Sequence, residues 1–310
     1  MKKKMLLIAR YGIAIFLLGW LFKKIEIHNV ILAVKVADKS LILCAVCTAL
    51  LFRMAVYPHL WYMVLKKTGI AVRYINLVLL YAASLPFKFI MPFKTSEVTR
   101  VAGLTFVEGV DIPRAISSIA FLKFISIGGM LVLAGVGGMV TGKIAYKAVF
   151  IASVVIYGCI FIFFKKFQNL LMKIFKKNNR TIEKLFACFQ AMRSTDKFLL
   201  ALYAIIPLIG EIMTEFIIFS ALGLDVHFIK LFFILPVIMF ASSLPISIHG
   251  IGIRESLSMG LLSSYGSQYE IFLGALLISV VYYIVPAILG VPAFFYYSRK
   301  NIRFHMKNKG

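Results

Sequence analysis

The sequence is short of acidic side chains: 12 Asp and Glu stand against 35 Lys and Arg, a formal net charge of +23 over 310 residues. Charge of either sign is scarce, at 15% of the chain, whereas 61% is hydrophobic and the mean hydropathy is +0.93. A soluble domain of this length needs far more polar surface, so a bilayer is the solvent that suits the chain. Long polar blocks are missing too, and the expectation is one membrane domain over 1–310 with no soluble catalytic domain in it. The four cysteines give no disulfide or metal framework: Cys44 and Cys47 share an apolar run, Cys159 lies in another and Cys188 in a basic loop. Of the five histidines, His249 alone falls in the predicted core, without a second ligand, so neither metal nor cofactor is expected. The basic excess does not read as nucleic-acid binding. Most Lys and Arg sit at span ends and in short loops, where the positive-inside rule and anionic headgroups explain them.

What is present is a series of apolar runs near the ~20 residues that a bilayer crossing needs. They cover 5–22, 40–64, 74–92, 115–140, 147–164, 198–222, 228–248 and 269–297, while the stretches 98–107 and 253–264 are too short to cross. The first run follows a basic start but lacks a small-x-small cleavage site, and reads as an uncleaved span.

Orientation follows from charge. The loop 165–197 has nine basic and two acidic residues, the tail 298–310 has five basic and no acidic ones, and the chain opens with Lys2, Lys3 and Lys4. All three belong on the cytoplasmic side, at a plasma membrane. Simple crossing by every long run would place 165–197 outside, so a segment before it must enter and leave on one side. The natural choice is 74–107, broken at Pro92, Phe93, Lys94, Thr95 and Ser96. A cytoplasmic tail then requires 228–264, broken at His249, Gly250, Ile251 and Gly252, to enter from the opposite face. The predicted fold is all-α and integral to the membrane, with about six full transmembrane helices and two oppositely oriented re-entrant hairpins. Lys23, Lys24, Lys35 and Lys39 fall on the predicted outer side, against the trend.

The halves echo each other. Ser84-Leu85-Pro86 returns as Ser243-Leu244-Pro245, an offset of 243 − 84 = 159, and the spans starting at Ser40 and Phe198 are offset by 198 − 40 = 158. With repeat 1 at 1–140 and repeat 2 at 147–297, this predicts an inverted-topology repeat. The basic loop 165–197 places Phe167, Leu170, Leu171, Ile174 and Phe175 on one helical face, as an interfacial helix on an anionic leaflet would.

Non-helical backbone at membrane depth is tolerated only where it is buried or lines a wet cavity, so both hairpin tips should meet around one. Half-helix N-termini there favour anionic groups. The first tip offers Lys88, Lys94, Glu97 and Arg100, the second His249, Arg254 and Glu255, and neighbouring spans add Arg53, Lys123, Glu211 and Glu215. Glu97 and Glu255 have two readings, functional carboxylates or partners of a helix dipole. Arg53 and Glu211 occupy equivalent repeat positions and form a possible core ion pair. Lys123 and Arg254 would suit a phosphate.

The string Leu244-Pro245-Ile246-Ser247-Ile248-His249-Gly250-Ile251-Gly252-Ile253-Arg254-Glu255 resembles the signature of the lysylphosphatidylglycerol synthase transmembrane-region family, which includes the flippase portion of the multiple peptide resistance factor. Pro92-Phe93-Lys94-Thr95-Ser96-Glu97-Val98-Thr99-Arg100 is similar to that family's Pro-Gly-Arg-x-Gly-Glu-x-x-Arg pattern. The resemblance implies that Pro92, Glu97, Arg100, Pro245, Gly250, Gly252, Arg254 and Glu255 shape a translocation site. Phe93 and Ser96 depart from expected glycines, His249 from a small residue, and Leu122-Lys123 and Ser126 from the usual Glu-Arg and Asp. The expected activity is movement of an anionic lipid, or of a lipid-linked (polyprenyl-phosphate type) headgroup, held by Lys94, Glu97, Arg100, Lys123, Arg254 and Glu255. An intramembrane enzyme using His249 or Glu255 as base, or a non-catalytic adaptor of an envelope-lipid synthase, are the alternatives. The implied partners are anionic membrane lipids and an envelope-lipid synthase, and not nucleic acid.

Overall fold

The computed structural model describes residues 31, 34–89, 95–141, 151, 155, 186–243 and 253–307, and no strand occurs among them. Four of its helices are long and apolar enough to cross a membrane. These are α1 (Lys39–Lys67), α4 (Ile112–Thr141), α6 (Ser194–Ala221) and α9, which begins as Gln268–Ser279 and continues as Val285–Lys307. They fall on the runs expected at 40–64, 115–140, 198–222 and 269–297. The expected spans at 5–22 and 147–164, and the interfacial loop helix, lie outside the described residues apart from Ile151, Val155 and the loop's end.

Between the long helices lie two pairs of shorter ones: α2 (Tyr74–Ser84) with α3 (Thr95–Phe106), and α7 (Phe228–Ser243) with α8 (Ile253–Leu261). A short helix α5 (Ala187–Ala191) precedes α6. At 1.5 Å per residue α3 is roughly 18 Å long and α8 roughly 14 Å, well short of a ~30 Å hydrocarbon core. The arms of each pair pack on each other, and each pair closes at its base. Asn76 Nδ2 donates to Glu108 Oε2 at 3.0 Å, joining the start of α2 to the end of α3. Lys230 Nζ lies 5.3 Å from the Tyr265 ring centroid, joining the start of α7 to the residues after α8. The breaks at 90–94 and 244–252 lie outside the described residues, and with them Pro92, Lys94, Pro245, His249, Gly250 and Gly252.

These closures sit at opposite ends of the bundle. At one end the Tyr297 hydroxyl donates to Glu108 Oε1 at 2.8 Å, and Lys67, which ends α1, pairs with Asp196 at 2.7 Å. At the other, the Asp38 amide donates to the Ala221 carbonyl at 2.8 Å, and Ser267 and Glu270 form a capping box ahead of α9. Asp38 also caps α1: the Ser40 hydroxyl and the Leu41 and Ser40 amides hold its carboxyl below the usual carboxylate range.

Three packings dominate. The Val285–Lys307 part of α9 lies on α2, α7 lies on α4, and the Ile205–Ala221 part of α6 lies on the Lys39–Leu51 part of α1. Exchanging the two halves of the chain turns the first into the second and leaves the third unchanged. Glycines permit the close approaches: a Cβ at Gly290 would collide with the Ala82 carbonyl oxygen, and one at Gly210 with the Phe52 ring.

Three of the long-helix interruptions have a proline behind them. The π-helical segment Phe52–Val56 precedes Pro58, the segment Val280–Ile284 precedes Pro286, and the break in α6 at Ala204 precedes Pro207. Proline has no N–H, and its ring crowds the carbonyl four residues back, so the helix widens or kinks there. The Tyr74 hydroxyl takes up a carbonyl in this stretch, donating to Ala55 O at 2.9 Å.

Candidate functional site

The helix breaks bring ionisable side chains into the apolar bundle in two groups. In the first, α3 leans on α2 and α4. Lys123 Nζ, from mid-α4, pairs with Glu97 Oε1 at 2.7 Å, and the Ser96 hydroxyl donates to Glu97 Oε2 at 3.1 Å. Arg100 follows one turn later. Its Nε donates to Ser84 Oγ at 2.9 Å, Ser84 in turn donates to the Tyr81 carbonyl at 2.6 Å, and the guanidinium carbon stands 4.3 Å from the Tyr81 ring centroid. Arg100 is buried, but the Lys123 side chain is 42% exposed. Glu97 lies in the first turn of α3, where the helix dipole also favours a carboxylate. This group is an ion pair and a stacked guanidinium.

The second group is closed. Arg254, at the start of α8, reaches three partners: Nη2 is 3.2 Å from Glu211 Oε1, Nη1 is 3.3 Å from Glu215 Oε1, and Nη2 donates to the Tyr283 hydroxyl at 2.6 Å. Tyr283 passes the bond on, donating to Glu211 Oε1 at 3.2 Å. Glu211 and Glu215 are one turn apart on α6, so both carboxylates face α8. Neighbouring Glu255 receives a bond from Ser279 Oγ at 3.5 Å. A buried guanidinium in this setting is stabilised only while its acceptors stay in place, since removing either sign leaves an uncompensated charge in low dielectric.

Tyrosines join the two groups. Tyr81 and Ile284 pack in one apolar group with Tyr57 and Tyr283. Arg53, in the π-helical stretch of α1, has its guanidinium carbon 4.5 Å from the Tyr282 ring centroid and 4.8 Å from that of Tyr283. Tyr283 therefore stands between two guanidiniums, because Arg254 lies 5.0 Å from its centroid. Arg53 is buried and its Nε has no hydrogen-bond partner. Two widened helix turns thus face each other, one supplying the cation and the other the rings that hold it.

The sequence-predicted residues Glu97, Arg100 and Lys123 meet in the first group, and Arg254, Glu255, Glu211 and Glu215 in the second. The pair expected between Arg53 and Glu211 takes another form: Glu211 is bound by Arg254, and Arg53 reaches it only through the field and the intervening Tyr283. The reason is that α8 puts Arg254 against the Glu211 and Glu215 face of α6, while the π-helical turn rotates Arg53 onto the tyrosines. The phosphate role expected of Arg254 meets donors already committed to carboxylates. Tyr57, Tyr81, Tyr282, Tyr283 and Ser84 were not expected. The one sequence mark among them is the Tyr282-Tyr283 pair in an otherwise aliphatic run ahead of Pro286, which by itself does not distinguish a site from a packed or lipid-facing pair.

The family model described as Lysylphosphatidylglycerol synthase TM region matches residues 7–290. None of the curated proteins matches the chain.

Proposed function

The chain belongs to the lysylphosphatidylglycerol synthase TM-region family, and from that premise we propose that this membrane protein is a translocase. Its cargo is an anionic lipid or lipid-linked headgroup, moved between leaflets while the tail stays in hydrocarbon. The single observation that carries the reading is the cationic first group, where Lys123 pairs with Glu97 and Arg100 follows one turn later on α3. A phosphate or phosphodiester that binds there finds a guanidinium and an ammonium, a donor set that suits it. Lys94 belongs to the same proposal by its place in the first tip motif.

In this reading α2–α3 and α7–α8 are re-entrant hairpins of an inverted repeat, within six full spans. The base closures at Asn76–Glu108 and Lys230–Tyr265, at opposite ends of the bundle, support it, as does the exchange-symmetric packing of α2 on α9 and α7 on α4. The end that bears Lys66, Lys67, Arg73, Arg114, Arg193 and Lys197 is then cytoplasmic in a plasma membrane, together with both termini.

The test is reconstitution of the full chain into vesicles that contain a headgroup-labelled anionic phospholipid, with quenching of the outer-leaflet label. Expected is loss of label beyond the outer half, abolished in Lys123→Gln and in Arg100→Gln. Failure to move any member of a broad anionic panel overturns the proposal.

A further inference from the structure

Arg53 belongs to neither ionic group. It is 7% exposed, and its Nε has no hydrogen-bond partner among the described residues. A buried charged donor in that state is uncommon, because hydrogen bonds or a paired ion ordinarily offset the loss of water. What holds Arg53 is a pair of aromatic rings, with the guanidinium carbon 4.5 Å from the Tyr282 centroid and 4.8 Å from that of Tyr283. Ring quadrupoles stabilise the charge but do not supply the oxygen acceptor that an in-plane N–H seeks. Glu211 acts on Arg53 through the field, while its Oε1 is bound by Arg254 and Tyr283.

The place of Arg53 is set by two helix defects. Arg53 lies in the π-helical segment Phe52–Val56 and both tyrosines lie in the segment Val280–Ile284, so each half of the chain brings a widened turn to it. Such turns recur at functional sites, where they shift a side chain out of helical register. Tyr81 ties this place to the first group: it lies in the fields of Arg53, Arg100 and Lys123, and Arg100 stands 4.3 Å from its ring centroid. Tyr283 ties it to the second group, with Arg254 5.0 Å from its centroid. Arg254 has its donors committed to Glu211, Glu215 and Tyr283, whereas Arg53 keeps an idle one.

We infer that Arg53 is an inner binding site for the phosphate oxyanion of a lipid headgroup, between the two ionic groups and distinct from Lys123 and Arg100. The inference rests on the translocase reading and deepens it by giving the headgroup a second station. Nε and the adjacent Nη form a fork that matches two oxygens of a phosphate or phosphodiester, and Tyr282 and Tyr283 hold the cation in place without consuming that fork. Because Arg53 is buried, the headgroup reaches it from the first group, past Tyr81, and not from bulk water. No covalent bond forms or breaks.

The experiment follows the arginine Nε–H magnetic resonance signals of the isotopically labelled full chain in detergent as dihexanoyl phosphatidylglycerol is added. The Arg53 signal is identified by its loss in Arg53→Lys, which keeps the charge but not the fork. Expected is a shift of that signal that saturates with the lipid. In vesicles, transfer of the labelled phospholipid should slow by about tenfold or more in Arg53→Lys, as loss of one charged hydrogen bond implies. An Arg53 signal that stays put while the Arg100 signal moves and lipid is transferred overturns the inner site and leaves the translocase reading standing. Transfer at the wild-type rate by Arg53→Lys does the same. A shift with dimethyl phosphate but none with the lipid also overturns it, since the site then takes a free anion. Should Arg53→Lys not fold, the wild-type signal is identified through magnetisation transfer to the Tyr282 and Tyr283 ring protons, and its response to lipid decides alone. No response at any arginine, with no lipid movement in vesicles, removes both readings together.

Discussion

The first and second ionic groups are built with opposite polarity: in the first the short helix supplies the carboxylate and a long helix the cation, and in the second the short helix supplies the cation and a long helix the carboxylates. Glu97 of α3 and Glu255 of α8 stand in equivalent first turns. Lys123 reaches across to Glu97, while Ser279 donates to Glu255. The cation of the second group sits instead on the short helix itself, as Arg254, and is clasped by two carboxylates from α6. A short helix thus carries charge into the bundle in each half, with opposite sign in the ion pair it makes.

Breaking the sealed group should have the largest effect. Arg254→Gln leaves Glu211 and Glu215 facing each other without a cation, a loss expected to cost about 3–5 kcal/mol. It should appear as a large drop in thermal midpoint of the detergent-solubilised protein, partly restored by adding Glu215→Gln. Next comes packing. Gly290→Ala sets a Cβ against the Ala82 carbonyl, which is backbone and cannot yield, and should cost about 1–3 kcal/mol as α9 is pushed off α2. Gly103→Ala is its counterpart, because the obstacle there is the tip of Leu80, which can rotate; the helix-propensity gain of about 0.5–1 kcal/mol then leaves it near neutral. Equal midpoints for the two variants would contradict the close-packed geometry. Tyr283→Phe removes two hydrogen bonds, the one its hydroxyl accepts from Arg254 and the one it donates to Glu211, but keeps the ring that both arginines stack on, so about 1–3 kcal/mol is expected.

Much of this architecture was legible before any coordinates. Apolar run length located α1, α4, α6 and α9, because a 20-residue hydrophobic stretch has few other uses. The stretches 98–107 and 253–264, too short to cross, located α3 and α8. What the sequence hid was pairing. Arg53 and Glu211 share a repeat position, and symmetry alone matched them. The outcome turned on a π-helical turn ahead of Pro58, which one-dimensional periodicity does not register, and on Arg254 arriving from a distant helix. Tyr282 and Tyr283 were hidden for another reason: in an apolar span they look like ordinary lipid-facing or core residues, and only the facing π-turn makes them a guanidinium cradle.

Lys123 tests the first group. Lys123→Gln removes one cation near Glu97 but leaves Arg100 one turn away on α3, so its stability loss should be smaller than that of Arg254→Gln. The same substitution removes the Lys123 ammonium, and headgroup binding should fall by an order of magnitude or more if a charged contact of about 1.5–3 kcal/mol is lost. Arg254→Gln should reverse this ratio, with stability suffering more than binding. Measuring midpoint and affinity on the same two preparations separates the cases. A Lys123→Gln protein that is badly destabilised, or that binds the anion as well as wild type, would mean that the first group is structural and that the two groups differ in degree and not in role.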